Sequence, residues 1–311
     1  MTAMHQPSTA IRYARTIEVS KRVRWDIDRD VIRGRTFGSD EKFLPDGLSR
    51  VDRLQSLSPR ERRLLGRIQG RTYGNMFALV ERYIGAKMLE LAREHALGDQ
   101  NALEALVRVT DEELKHQELF RRIEALVADG MPAGYRFVPQ PDEVAQFVLG
   151  KSSWAVLALT CHIEIFSQVH YRESIAPDPE LSPLFKDVFF FHWKEESQHA
   201  IIDELEWQRI DARTSEAERD AAVDDLIALV AGIDGLLQMQ AAADGDYFAK
   251  VCGRELSADE KAAVGALLLA AYRWQYIVSG AVEPRFVEDL GSLITPAQNE
   301  RIGAALAPLM Q

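Results

Sequence analysis

One short text is written twice in this chain, and its spacing limits the folds available. Glu113-Leu-Lys-His116 and Glu196-Ser-Gln-His199 share the pattern Glu-x-x-His. Glu81 stands 32 residues before Glu113, and Glu164 stands 32 residues before Glu196, so three positions recur with a common offset of 83. A pattern repeated at such distances requires long elements of matched length. With a rise of about 1.5 Å per residue, Glu81 lies roughly 25 Å before a turn at Gly98 and Glu113 roughly 21 Å after it. Glu164 and Glu196 each lie about 20 Å from a turn at PDPELSP, on opposite sides of it. Each pair therefore meets side by side when the helices fold back as hairpins.

The helix signals agree. Ser58-Pro59-Arg60-Glu61 is a capping box with Pro at the first helical position, and an amphipathic pattern follows to about Leu97. A second helix is predicted from about Gln100 to Asp129, a third from about Asp142 to Ile175 and a fourth from Pro183 to about Arg213. Ser215–Glu218 and Ser257–Glu260 cap two further helices, and shorter pieces start near Pro284 and Pro296. No stretch alternates with period two, so the chain reads as all-α. We expect an irregular N-terminal segment over residues 1–55, a four-helix bundle over 56–213 and added helices over 214–311, all in one domain.

In that bundle Glu81, Glu113, His116, Glu164, Glu196 and His199 converge. The surrounding positions, such as Phe77, Ile84, Leu157 and Phe189, are apolar, which argues against solvated salt-bridging faces. Four buried carboxylates repel one another and lose their hydration, a cost that two divalent cations cancel. Carboxylate and imidazole donors without thiolates suit iron or manganese. One Glu from each of two helices plus Glu-x-x-His from each of the others is the ferritin-like dimetal arrangement in an antiparallel bundle.

The halves are not identical. His192 precedes Glu196 by one turn and falls in the same roughly 60° arc as Glu196, His199 and Asp203, whereas the offset of 83 puts Val109 and Phe120 opposite His192 and Asp203. His192 is thus a candidate seventh metal ligand, and Asp203 a candidate outer partner. Glu112 and Glu195, each just before a motif glutamate, are candidates for holding the opposing histidine in its tautomer. Gly85, one turn after Glu81, and Thr160 and Gln168, flanking Glu164, are the expected pocket positions.

The twin repeat, with a histidine one turn before the second motif glutamate, resembles the aminobenzoate N-oxygenase family of diiron proteins. The resemblance covers roughly residues 55–213. It implies a diiron oxygenase that oxidises aromatic amines through hydroxylamine to nitro compounds, with Glu81, Glu113, His116, Glu164, Glu196 and His199 as common ligands and His192 as the additional one. The residue before each motif glutamate is usually Asp in that family and is Glu here. The six-ligand set alone is shared with ribonucleotide reductase small subunits, desaturases, multicomponent monooxygenases and rubrerythrins. A metal-storage or peroxide-scavenging protein, or another diiron hydroxylase or desaturase, is therefore the alternative. Two iron ions are the expected cofactor, manganese being compatible. O2, reduced to a peroxo-diiron species, a small organic substrate and an external electron donor are the expected partners.

Composition narrows the rest. A net charge of −11 offers no basic face for nucleic acid. The apolar run at 262–272 stops at Arg273 and is too short to span a bilayer. Cys161 and Cys252 lie in no CxxC spacing, so a reducing cytoplasm is expected, and a homodimer is compatible with the pattern.

Overall fold

Ser58, Asp99, Ser152 and Ser182 each cap a helix of the bundle with the side-chain oxygen, and these four starts organise the computed structural model, which describes residues 8–310. The chain is an all-α antiparallel bundle. Its longer helices are α1 (Thr9–Arg22), α2 (Pro59–Glu94), α3 (Gln100–Asp129), α4 (Pro141–Leu149), α5 (Ser153–Val169), α6 (Pro183–Asp211), α7 (Glu216–Val251), α8 (Ala258–Arg273), α9 (Pro284–Leu293) and α10 (Pro296–Leu306). Two hairpins, α2 with α3 and α5 with α6, form the bundle. Among the described residues the only β pairing is an isolated bridge between Lys42 and Leu181.

Two expectations are corrected. The third helix is not continuous over 142–175: α4 ends at Leu149, Gly150 follows, and the Ser152 side chain accepts from Ala155 N–H to start α5. Apolar periodicity runs through that break and hides it. Beyond Val169 the helix widens into a π-helical turn, His170–Ile175. The N-terminal segment is not wholly irregular, since α1 packs on α3 and α6; residues 1–7 lie outside the described ones. The buried face of α1 is Tyr13, Thr16, Ile17 and Ser20, half polar, so no apolar stripe announces it. Tyr13 Oη donates to Glu206 Oε1 at 2.5 Å and Ser20 Oγ to Glu112 Oε1 at 2.7 Å.

The C-terminal helices cover one flank of the bundle, α7 and α9 against α5 and α10 against α7. Helix α7 contains an 18-residue window of mean hydropathy 1.6, long and apolar enough by composition to cross a bilayer. Two of its acids are tied to neighbouring helices: Asp244 accepts from Thr72 Oγ1 at 2.7 Å and from Gln240 Nε2 of its own helix at 2.9 Å, and Asp234 pairs with Arg273 at 2.7 Å. Close approach is needed at Gly280, where an added Cβ would sit 2.4 Å from His162 Nε2.

Candidate metal centre

The two hairpins bring all seven predicted ligands to one level in the bundle interior. None of Glu81, Glu113, His116, Glu164, His192, Glu196 and His199 is more than 3% exposed. Their donor atoms form overlapping groups, each within 4.8 Å: Glu81, His116, His192 and Glu196; Glu164, Glu196 and His199; and Glu113 with both His116 and His199. Glu196 belongs to both ends and Glu113 lies between two imidazoles. The arrangement therefore has two halves and two shared carboxylates.

In the first half, His192 Nε2 is 3.0 Å from Glu81 Oε1 and 3.0 Å from Glu196 Oε1. His116 Nδ1 lies 3.3 Å from the same Glu196 oxygen and 3.8 Å from Glu81 Oε2. In the second half, His199 Nδ1 is 3.0 Å from Glu113 Oε1 and 3.6 Å from Glu196 Oε2. Although His192 and His199 share one helix, His192 joins the group around His116 of the other sequence half. Three aromatic rings wall it, with Phe77 and Phe120 edge-on at 5.1 Å and Phe189 at 6.4 Å.

The outer nitrogens are held crosswise. His116 Nε2–H donates to Glu195 Oε2 at 2.9 Å, and His199 Nε2–H donates to Glu112 Oε2 at 2.8 Å. A proton is thereby held at each Nε2, which leaves Nδ1 as the nitrogen that faces the carboxylates and can take a metal ion. Glu112 also accepts from Ser20, and Glu195 accepts from Lys115 Nζ at 2.5 Å. The Lys115 ammonium sits 4.1 Å over the Trp25 ring, which stacks on His116 at 6.1 Å with an interplanar angle of 8°. The N-terminal segment thus completes the outer layer. Sequence reasoning did not single out Ser20, Trp25 or Lys115, because no spacing links residues 20–25 to position 116.

Whether these residues suit cations is tested by what protein alone leaves unpaired. Both Glu113 oxygens, Glu164 Oε2, Glu196 Oε1, His116 Nδ1 and His199 Nδ1 are buried without a hydrogen-bond partner. In the metal-free chain only protons compensate. Burial, and then the Glu196 charge, drive the Glu164 carboxyl well above the carboxylate range. Burial disfavours a charged His116, but Glu113 and Glu195 outweigh it and raise the imidazole to about 9. Burial dominates at His192 and lowers it to about 4, leaving a neutral donor. Six orphaned donors around carboxylates are what two divalent cations satisfy, and the donor set fits them.

The remaining candidates sit differently. Asp203 is 2% exposed, and burial raises its carboxyl to about 8; its Oδ2 has no partner, and it bonds to no site histidine. Gly85 lies against Glu113, where an added Cβ would be 3.6 Å from Glu113 Cβ, so it serves close packing of α2 on α3. Thr160 Oγ1 donates to the Leu157 carbonyl at 3.2 Å, and Gln168 Nε2 braces the Glu164 and Glu196 carbonyls at 2.9 and 3.3 Å. None of these three lines either apolar chamber beside α5. Tyr171 stacks on Trp193 at 4.9 Å, away from the site.

The sequence pattern of the family described as p-aminobenzoate N-oxygenase AurF matches residues 21–242. No curated protein matches the chain. Among solved structures, a mutant R2-like ligand-binding oxidase with an aerobically reconstituted Mn/Fe cofactor is similar at 15% identity and a TM-score of 0.40. That similarity covers 88% of this chain and 95% of the other.

Proposed function

The chain belongs to the p-aminobenzoate N-oxygenase AurF family and is a diiron oxygenase that uses O2, an organic substrate and an electron donor; from that premise we propose that it N-oxygenates an arylamine. We assign Glu81, His116 and His192 to one iron, Glu164 and His199 to the other, and Glu113 and Glu196 to both. The observation that carries this assignment is the set of six buried, unpartnered donor atoms facing one another.

When bound, the two ferrous ions supply the electrons for O2 reduction. The chain's own residues do the rest. Glu112 and Glu195 keep the protons at His199 Nε2 and His116 Nε2, so both Nδ1 lone pairs stay available. His192, neutral by burial, adds a second imidazole to the Glu81 half. Phe77, Phe120 and Phe189 keep water from His192, which strengthens the interactions inside the site. The long C-terminal flank, which a storage protein does not need, supports a substrate pocket. Two free cysteines, one buried, and an acidic surface support a cytoplasmic location away from nucleic acid and membrane, and a homodimer stays compatible.

The test is a single turnover. Chain loaded with ferrous iron without air is mixed with 18O2 and aniline, and products are read by mass spectrometry. Labelled phenylhydroxylamine or nitrosobenzene is expected. Ring-hydroxylated product alone, or water and ferric mineral with aniline untouched, overturns the reading.

A further inference from the structure

Tyr73 of α2 and His170, the first residue of the π-helical turn after α5, form a buried pair that the metal ligation does not use. Tyr73 is 0% exposed and His170 2%. Tyr73 Oη lies 2.8 Å from His170 Nδ1, His170 Nε2 lies 2.8 Å from Ser279 Oγ, and Ser279 Oγ donates to the Gln275 carbonyl at 3.3 Å. With its one proton spent on Gln275, Ser279 accepts from His170 Nε2–H. His170 Nδ1 therefore carries the lone pair, and the Tyr73 hydroxyl donates to it. His170 and Gln275 both ride on π-helical turns, His170–Ile175 and Trp274–Val278, a rare distortion that gathers at functional sites.

Rings join this pair to the metal centre. Phe77 lies 5.0 Å from Tyr73 and 5.1 Å from His192, and Phe189 lies 5.1 Å from Tyr73 and 6.4 Å from His192. Tyr73 is thus one ring removed from a metal ligand. A phenol that loses an electron becomes a strong acid, so a buried one is oxidised only where a base within hydrogen-bond reach takes its proton in the same step. Burial holds the Tyr73 phenol well above its ordinary range, so it does not ionise beforehand. Burial also lowers His170 to about 3, which keeps the ring neutral and Nδ1 open as the acceptor.

Other oxidisable rings nearby lack this arrangement. Trp25 stacks on His116, but its Nε1 has no hydrogen-bond partner, and the Lys115 ammonium 4.1 Å over the ring disfavours a second positive charge there. Tyr276, 6.0 Å beyond Tyr73, has no acceptor for its hydroxyl.

We propose that Tyr73 and His170 are a redox-active pair that supplies one electron to the O2-oxidised metal centre when no substrate is bound. In that step Tyr73 loses one electron, through Phe77 or Phe189, and its O–H bond breaks as the proton goes to His170 Nδ1. The products are a neutral tyrosyl radical, a protonated His170 and a metal centre reduced by one electron. One electron from the external donor, with return of the proton from His170, restores the phenol. The proposal rests on the dimetal oxygenase and not on which substrate that oxygenase attacks.

Freeze-quenched electron paramagnetic resonance tests it, on chain loaded with ferrous iron without air and then mixed with O2 in the absence of any amine. A tyrosyl radical is expected, identified by the narrowing of its signal in protein grown with ring-deuterated tyrosine. Labelling with 15N-histidine should show an imidazole nitrogen coupled to it. Tyr73→Phe should bind and oxidise two irons but lose the signal. His170→Phe should slow its appearance roughly 100-fold, the scale of a positioned base. Should Tyr73→Phe misfold, the labelled parent decides: a tyrosyl radical without histidine coupling overturns the proposal. Parental radical yield in Tyr73→Phe, or irons oxidised in the parent with no tyrosyl radical, also overturns it. A chain that binds no iron overturns this proposal and the functional reading together. Failure of the N-oxygenase reading alone looks different: the radical forms, and aniline, when added, is not oxidised at nitrogen.

Discussion

Replacing Glu195 by Gln tests the crosswise support of the histidines. Glu195 has one partner per oxygen, His116 Nε2 at 2.9 Å and Lys115 Nζ at 2.5 Å. Glutamine offers one acceptor oxygen and presents an NH2 group where the second acceptor stood, so one of the two donors must leave. Lys115 has 24% of its side chain exposed and can reach water, whereas His116 is fully buried; the ammonium therefore leaves and the imidazole keeps a neutral bond. A neutral hydrogen bond is about half as strong as a charge-assisted one. Loss of such outer support lowers metal affinity roughly 10- to 100-fold, about 1.4–2.7 kcal/mol. The effect should fall on one ion only, because Glu112 and His199 stay paired at 2.8 Å. Anaerobic ferrous titration of Glu195→Gln should therefore be biphasic, with one ion per chain bound as in the parent and the second weakened. Glu112→Gln should weaken the other ion, and spectroscopy of the half-loaded forms should differ between the two variants. Two ions bound with parental affinity in Glu195→Gln would refute the reasoning.

His192→Leu should keep two irons, since Glu81, His116 and Glu196 remain, but lower the yield of N-oxidised arylamine at least about 10-fold, the scale expected when a metal's immediate surroundings are altered; parental yield would remove His192 from the chemistry. Trp25→Ala should destabilise the chain by about 3–5 kcal/mol, the usual loss for a buried indole, and a melting temperature within a degree or two of the parent would contradict the stacking of Trp25 on His116 as a structural tie. Burial raises Asp244 to about 7 from 3.8, against the pull of Tyr272, Thr72 and Gln240. Below both values it is protonated whether folded or not. Between them only the unfolded chain ionises, so this group's contribution to stability falls as pH rises from about 4 to 7, on the order of 4 kcal/mol in all, and is level above. The melting temperature of Asp244→Asn minus that of the parent should climb over that interval; a constant difference would contradict the shift.

Much of this was written in the sequence because the site is built from periodic elements. Capping residues mark where α2, α7 and α8 begin, and the offset of 83 puts six carboxylates and imidazoles at one height with no tertiary information. His192 stood out as a polar residue on the shared arc. What the sequence did not carry was local or long-range. The α4–α5 break rests on Ser152 taking a cap inside an apolar run. The outer layer rests on Ser20 and Trp25, which reach Glu112 and His116 across some 90 residues of chain. Gly85, Thr160 and Gln168 are engaged in helix packing and backbone bonds, and the apolar chambers beside α5 are bounded by the C-terminal helices, whose contacts with α5 no periodicity encodes.

Anomalous diffraction at the iron edge, on crystals loaded with ferrous iron without air, reads the site atom by atom. Two peaks per chain are predicted: one bonded to Glu81, His116 Nδ1 and His192 Nε2, the other to Glu164 and His199 Nδ1, with Glu113 and Glu196 reaching both. No peak among these residues, or iron only at surface carboxylates, would contradict the dimetal assignment outright.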